Sequence, residues 1–182
     1  MTSHEAPDAL GSLLILMAVP CVLPIPGIGN VMGLGMMGLA WAIWRGDSTL
    51  GLLGRTRTSP LNAQRRRQIR LGIRRVHRLA APWCRPRLQG LVSLAPRSWH
   101  AAAAAALVAA MGVLIFLPIP LGNVLPAASI TCLGLGLSHR DGVAALWSAG
   151  LAVLALAYTA ALAAGAWAWV MAPLGRWLGF NA

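Results

Sequence analysis

Apolar residues fall in three long runs, and prolines cut the first two near their middles. The first run covers residues 9–44, with Pro20, Pro24 and Pro26 at its centre; the second covers 100–137, cut by Pro118 and Pro120. The third, 143–170, contains no proline and carries only Ser148, Tyr158 and Thr159 as polar side chains. Proline has no amide hydrogen and clashes with the preceding turn, so each cut run predicts two helical arms around a break. At about 1.5 Å per helical residue, arms 9–23 and 31–44 reach about 22 and 21 Å, against a bilayer core of about 30 Å. Each pair is therefore a hairpin that is either re-entrant or spanning. The third run, about 42 Å as a helix, suffices for one tilted crossing.

The breaks repeat one another. "LPIPGIGNV" at 23–31 and "LPIPLGNV" at 117–124 match Pro24, Pro26, Gly29 and Asn30 to Pro118, Pro120, Gly122 and Asn123, at an offset of 94 that becomes 93 after a one-residue gap. Each copy ends near a paired charge, Arg45 and Asp47 in "WRGD" and Arg140 and Asp141 in "HRDG". The shared order predicts two duplicated helix-break-helix units whose breaks form the functional centre. Short segments interrupted by Gly and Pro at matching places in two repeats point to a transport site, with Asn30 and Asn123 as its amides. "GNVMG" at 29–33 places two glycines on one helix face, a spacing suited to contact between the repeats.

Between the units lies a basic arm. Ser59-Pro60 suits a helix start. Beyond it Ile69, Ile73, Val76 and Leu79 recur at helical spacing beside a stripe of Arg66, Arg70, Arg74 and Arg78. This pattern predicts an amphipathic helix lying on anionic lipid headgroups, in preference to an acidic protein partner or a nucleic acid. The resulting division is a leader 1–8, a first hairpin 9–47, the arm 48–98, a second hairpin 99–142, a transmembrane helix 143–172 and a tail 173–182.

Composition adds the solvent. With 58% hydrophobic and 10% charged residues and a mean hydropathy of +0.68, the chain reads as an all-α integral membrane protein. All 15 basic residues are arginine, and twelve lie between Arg55 and Arg97. That block places the arm in the cytoplasm, so both hairpins begin and end there and the last helix crosses. Trp167, Trp169 and Trp177 fit an interfacial belt.

Reactive groups are sparse. The four carboxylates, Glu5, Asp8, Asp47 and Asp141, lie outside the apolar runs, and His4, His77, His100 and His139 lack metal-ligand spacing. Cys21, Cys84 and Cys132 are too scattered for a disulfide framework. The acidic start "MTSHEAPD" and Pro20 argue against cleavage or lipidation at Cys21. Asp47 and Asp141 read as helix caps or interfacial ion pairs, and Ser129 and Thr131 as hydroxyls bonded to their own helix. No catalytic residue, metal or cofactor is expected.

The stretch "LPIPLGNVLPAASITCLGLGLSHRDG" at 117–142 resembles the signature of the exopolysaccharide synthesis ExoD family, bacterial inner-membrane proteins. "LPIPGIG", the arginine-rich middle and "RPRL" at 85–88 are also similar to that family. Relatives usually carry Glu where this chain has His139, and a basic Pro-Trp link where it has "GDSTLGLLG" at 46–54. The resemblance implies participation in exopolysaccharide production and brings no catalytic residues with it. A non-enzymatic inner-membrane protein is expected, with polysaccharide machinery and a second copy of the chain as partners. The alternative is a small transporter or lipid-carrier translocator built from the two broken units.

If the arm lies on lipid, replacing Arg66, Arg70, Arg74 and Arg78 with Gln weakens binding of a 59–81 peptide to anionic vesicles by about 1 kcal/mol per arginine at low salt. Tryptophan-free vesicle sedimentation measures this, and unchanged binding would remove the arm from the lipid surface.

Overall fold

Among the described residues, every element of the computed structural model is helical, and the boundaries fall where the sequence supplies a stop. Residues 5–22, 27–46, 71, 78, 88–92, 98–117 and 122–177 are described. Helix α1, Glu5–Ala18, ends two residues before Pro20 and continues as a single 3₁₀ turn, Val19–Val22. Helix α2, Ile28–Arg45, ends on Gly46 in the left-handed region, φ 69°, whose N–H reaches the carbonyls of Ala42 and Ile43. Helix α3, Trp99–Phe116, starts on Ser98, whose hydroxyl accepts from the Ala101 N–H at 3.1 Å. It stops at Leu117, held extended as the residue before Pro118.

Helix α4 is Val124–His139 and α5 is Gly142–Trp177. Pro126 sits in the first turn of α4, where a missing amide hydrogen costs nothing. Arg140 closes α4 at φ 53°, and Asp141 then opens α5 by accepting the Val143 N–H at 2.9 Å. Two residues thus reverse the chain. Helix α5 runs through Pro173 to Trp177, so part of the expected tail is helical. Likewise α2 begins three residues before the expected Val31 and takes Gly29 and Asn30 into the helix.

The two arms of each broken run barely touch. Instead α1 packs on α4 and α2 on α3, both antiparallel, while α5 packs on the other side of α4. A short 3₁₀ turn at Gln89–Val92 also rests on α5, with Val92 in the core. The core is one cluster through all of these helices, centred on Leu14, Met36, Val108, Met111, Ile115 and Ile130.

Glycine permits both crossings. A Cβ on Gly33 would lie 2.7 Å from the Gly112 carbonyl oxygen and 3.0 Å from the Phe116 nitrogen, so α2 and α3 meet backbone to backbone. At the other crossing, a Cβ on Gly134 would lie 2.7 Å from the Gly11 carbonyl oxygen. Close approach of this kind gives the facing backbones dispersion contacts that a side chain at either glycine would prevent.

Burial recurs at the offset of the two breaks. Gly11, Leu14, Ala18 and Cys21 are buried, as are Ala105, Val108, Gly112 and Ile115 an offset of 94 away. Beyond the break, Gly29, Gly33, Met36, Ala40 and Ile43 are buried, and so are Gly122, Pro126, Ser129, Leu133 and Gly136 at 93.

Gly33→Ala and Gly134→Ala are each expected to lower stability by about 1–3 kcal/mol, because their neighbours are backbone and cannot rotate away. Gly38→Ala, which meets nothing within 4 Å, should instead stabilise by up to about 1 kcal/mol. Unfolding in mixed micelles followed by circular dichroism distinguishes the two classes, and equal effects at all three sites would contradict the crossings.

Candidate functional site

The described residues flanking the two breaks lie at one end of the bundle, where Gly29 faces Asn123. Gly27, at φ 86°, admits the left-handed turn that starts α2 and leaves Gly29 facing the second break. A Cβ on Gly29 would lie 2.9 Å from Asn123 Nδ2 and 3.0 Å from the Ile115 carbonyl oxygen. Gly29 is therefore the gap into which the Asn123 amide and the last turn of α3 fit. Asn123 Oδ1 is buried and has no hydrogen-bond partner. A buried acceptor left unpaired costs about 1–3 kcal/mol.

By sequence, Pro118 and Pro120 have no N–H to continue the helical bonding to the carbonyls of Leu114 and Phe116. The Asn123 oxygen can accept a hydrogen bond from water or from a hydroxyl-bearing ligand. It carries no charge.

The expected residues divide sharply. Gly29 and Gly122 are buried and Asn123 is partly buried, whereas Asn30 is exposed and does not join the Asn123 cluster. Pro24, Pro26, Pro118 and Pro120 lie outside the described residues, as do Asp47, Arg66, Arg70 and Arg74. Arg78 is helical and exposed, and so is Leu71. Arg45 is exposed at the end of α2, its guanidinium 5.1 Å from the Trp41 ring centroid. Arg140 and Asp141 form the α4–α5 corner already described, with Asp141 buried as the cap.

Most other polar side chains serve the helices. Thr131 donates to the Ala127 carbonyl at 2.7 Å and Thr159 to that of Ala155 at 2.9 Å, each four residues back. Cys21 Sγ does the same to Met17 at 3.2 Å. Ser129 departs from the expectation: its hydroxyl donates to the Ser148 carbonyl at 2.8 Å and lies 3.2 Å from the Ser148 hydroxyl. The reason is steric, since α4 and α5 pack closely enough there for a carbonyl of the neighbouring helix to come within reach. Among the described residues, no three His, Cys, Asp or Glu side chains converge as a metal site would require.

Two features escaped the sequence reading. Gly11 and Gly134 were not singled out, although Gly134 and Ser138 stand four residues apart in "GLGLS", the small-residue spacing that marks a helix contact. Ser138 Oγ abuts Gly11 and is the second buried polar atom without a partner among the described residues. The Ser129–Ser148 tie had no signal, because its partners come from different apolar runs.

Compared with known families, the chain matches the model described as "Exopolysaccharide synthesis, ExoD" over residues 2–161, nearly its whole length. No curated protein and no solved structure matches it.

Because it deletes an unpaired oxygen, Asn123→Ala is expected to leave stability unchanged or raise it by up to about 1 kcal/mol. Ser129→Ala should lower it by about 0.5–1 kcal/mol. Parallel unfolding titrations in detergent test the contrast, and a comparable loss at Asn123 would show that its amide is tied down.

Proposed function

The chain belongs to the ExoD family, and from that premise we propose a multi-pass protein of the bacterial inner membrane that supports exopolysaccharide synthesis or export without catalysing a reaction itself. The observation that carries the membrane reading is α5. Its most apolar 18-residue stretch, within Gly142–Trp169, has a mean hydropathy of 1.8, yet only 11% of that stretch is buried. A helix apolar on all sides and left largely uncovered calls for an apolar solvent. Trp147 and Trp167 are both exposed. Their spacing along the helix is about 30 Å, the thickness of the hydrocarbon core.

The remaining helices fit the same frame. Helix α3 has a mean hydropathy of 2.0. With 16 to 18 residues each, α2, α3 and α4 extend about 24–27 Å, just short of the core. The recurrent burial at offsets of 94 and 93 supports duplicated hairpins. With both breaks at one end, the hairpins start and finish on a common face. The positive charge of Arg45 and the arm supports a cytoplasmic position for that face and makes it suited to anionic headgroups and to polysaccharide machinery.

The absence of catalysis is inferred from what the polar groups do. Asp141 caps a helix, Ser129 ties α4 to α5, and Thr131 and Thr159 bond their own backbone. The unpaired Asn123 Oδ1 against Gly29 favours the second reading, a translocator with a path at the breaks.

Complementation separates the two. Deleting the protein in a host bacterium is expected to reduce secreted polysaccharide several-fold, and Asn30→Ala/Asn123→Ala is expected to restore it at normal membrane levels. Failure of that variant would move the function to a path through the breaks; no loss on deletion would remove the role altogether.

A further inference from the structure

A groove on the lipid-facing side of α2 and α3, away from the breaks, is unused by the function proposed above. It encloses about 270 Å³, walled by Met37, Trp41 and Trp44 of α2 and floored by Ala105, Ala106 and Ala109 of α3. Its lining is apolar apart from the indole N–H groups of Trp41 and Trp44, and none of the lining residues is charged. The alanines keep the floor low while the indoles rise on one side, which gives a narrow trough suited to a flexible hydrocarbon chain. Trp41 and Trp44 are both well exposed, at 60%, and therefore stand as walls instead of packing shut.

Among the described residues, Arg45 supplies a charge at one end. Arg45 follows Trp44 directly, and its guanidinium sits 5.1 Å from the ring of Trp41, a cation–π arrangement that holds the charge beside the mouth of the trough. Indole and guanidinium both favour the headgroup boundary, and guanidinium is suited to bidentate pairing with phosphate. The cytoplasmic end of α2 thus combines an apolar slot with a fixed cation, complementary to a molecule with an acyl tail and an anionic head.

We propose that this groove binds one acyl chain of an anionic membrane phospholipid, with Arg45 pairing its phosphate. The site rests on the membrane reading above. Burying the chain recovers part of the hydrophobic free energy of each methylene, and the arginine selects an anionic lipid over a zwitterionic one. The bound lipid would complete the α2–α3 surface as the alanine floor by itself does not.

Native mass spectrometry of the full chain, released from detergent and titrated with phosphatidylglycerol or phosphatidylcholine, tests the site. The expected result is one retained phosphatidylglycerol per chain, held at least fivefold more tightly than phosphatidylcholine. Ala106→Trp fills the trough from an exposed position, sparing the core, and should weaken phosphatidylglycerol tenfold or more. Arg45→Gln should erase the preference between the lipids while leaving phosphatidylcholine binding unchanged. Wild-type retention in Ala106→Trp overturns the groove, and a preserved preference in Arg45→Gln assigns selection to other arginines and overturns the pairing. Alkaline extraction of membranes from the same cells separates the premises: release of the chain sinks the membrane reading, whereas a retained chain that fails the lipid titration sinks only the groove.

Discussion

Backbone-to-backbone contact at two glycine crossings is the constraint from which the rest of the architecture follows. Gly33 against Gly112 and Gly134 against Gly11 let helices approach to a distance that any side chain would prevent. Because each crossing joins an arm of the first broken run to an arm of the second, neither run is a self-contained hairpin. Each is instead half of a shared four-helix core, and the breaks are brought together at one end as a result. The Asn123 amide reaches Gly29 because that core fixes both ends of the second break.

This arrangement explains how a chain with few polar side chains accommodates interrupted helices. Thr131 and Thr159 return to their own helix, Ser129 reaches Ser148, and the α4–α5 reversal is closed by a left-handed Arg140 and a capping Asp141. Against this background the unpaired oxygens of Asn123 and Ser138 are exceptions, and they lie toward opposite ends of the bundle. The Asn123 oxygen lies where proline has also withdrawn amide donors. Asn123 thus presents an unpaired acceptor at that end of the bundle.

Periodicity and proline placement made the helices legible. Pro20 and Pro118 mark where α1 and α3 stop, Gly46 marks the end of α2, and the uninterrupted third run is α5. Glycine spacing in "GNVMG" identified the face that α2 turns toward the other unit, since both glycines are buried there. The pairing of arms across units was not legible. Apolar faces on α1, α2, α3 and α4 are chemically alike, so the choice of partner depends on shape, and shape is set by small residues in different runs. Asn30 illustrates the limit: it matches Asn123 in sequence, but incorporation into α2 turns it outward. The ExoD resemblance was most specific at residues 117–142 and also ran through "LPIPGIG", the arginine-rich middle and "RPRL", and the family match over residues 2–161 bears it out.

Crosswise packing also sets an order for biosynthesis. Helices α1 and α2 leave the ribosome first, yet their main partners α4 and α3 are encoded after the arginine arm. At about 5–20 residues per second, the roughly ninety residues from the end of α2 to the end of α4 take on the order of ten seconds to synthesise. During that interval the glycine faces of α1 and α2 have no mates. The long arm between the units is then a delay, and the fold of the first half is completed only after the second half has been made.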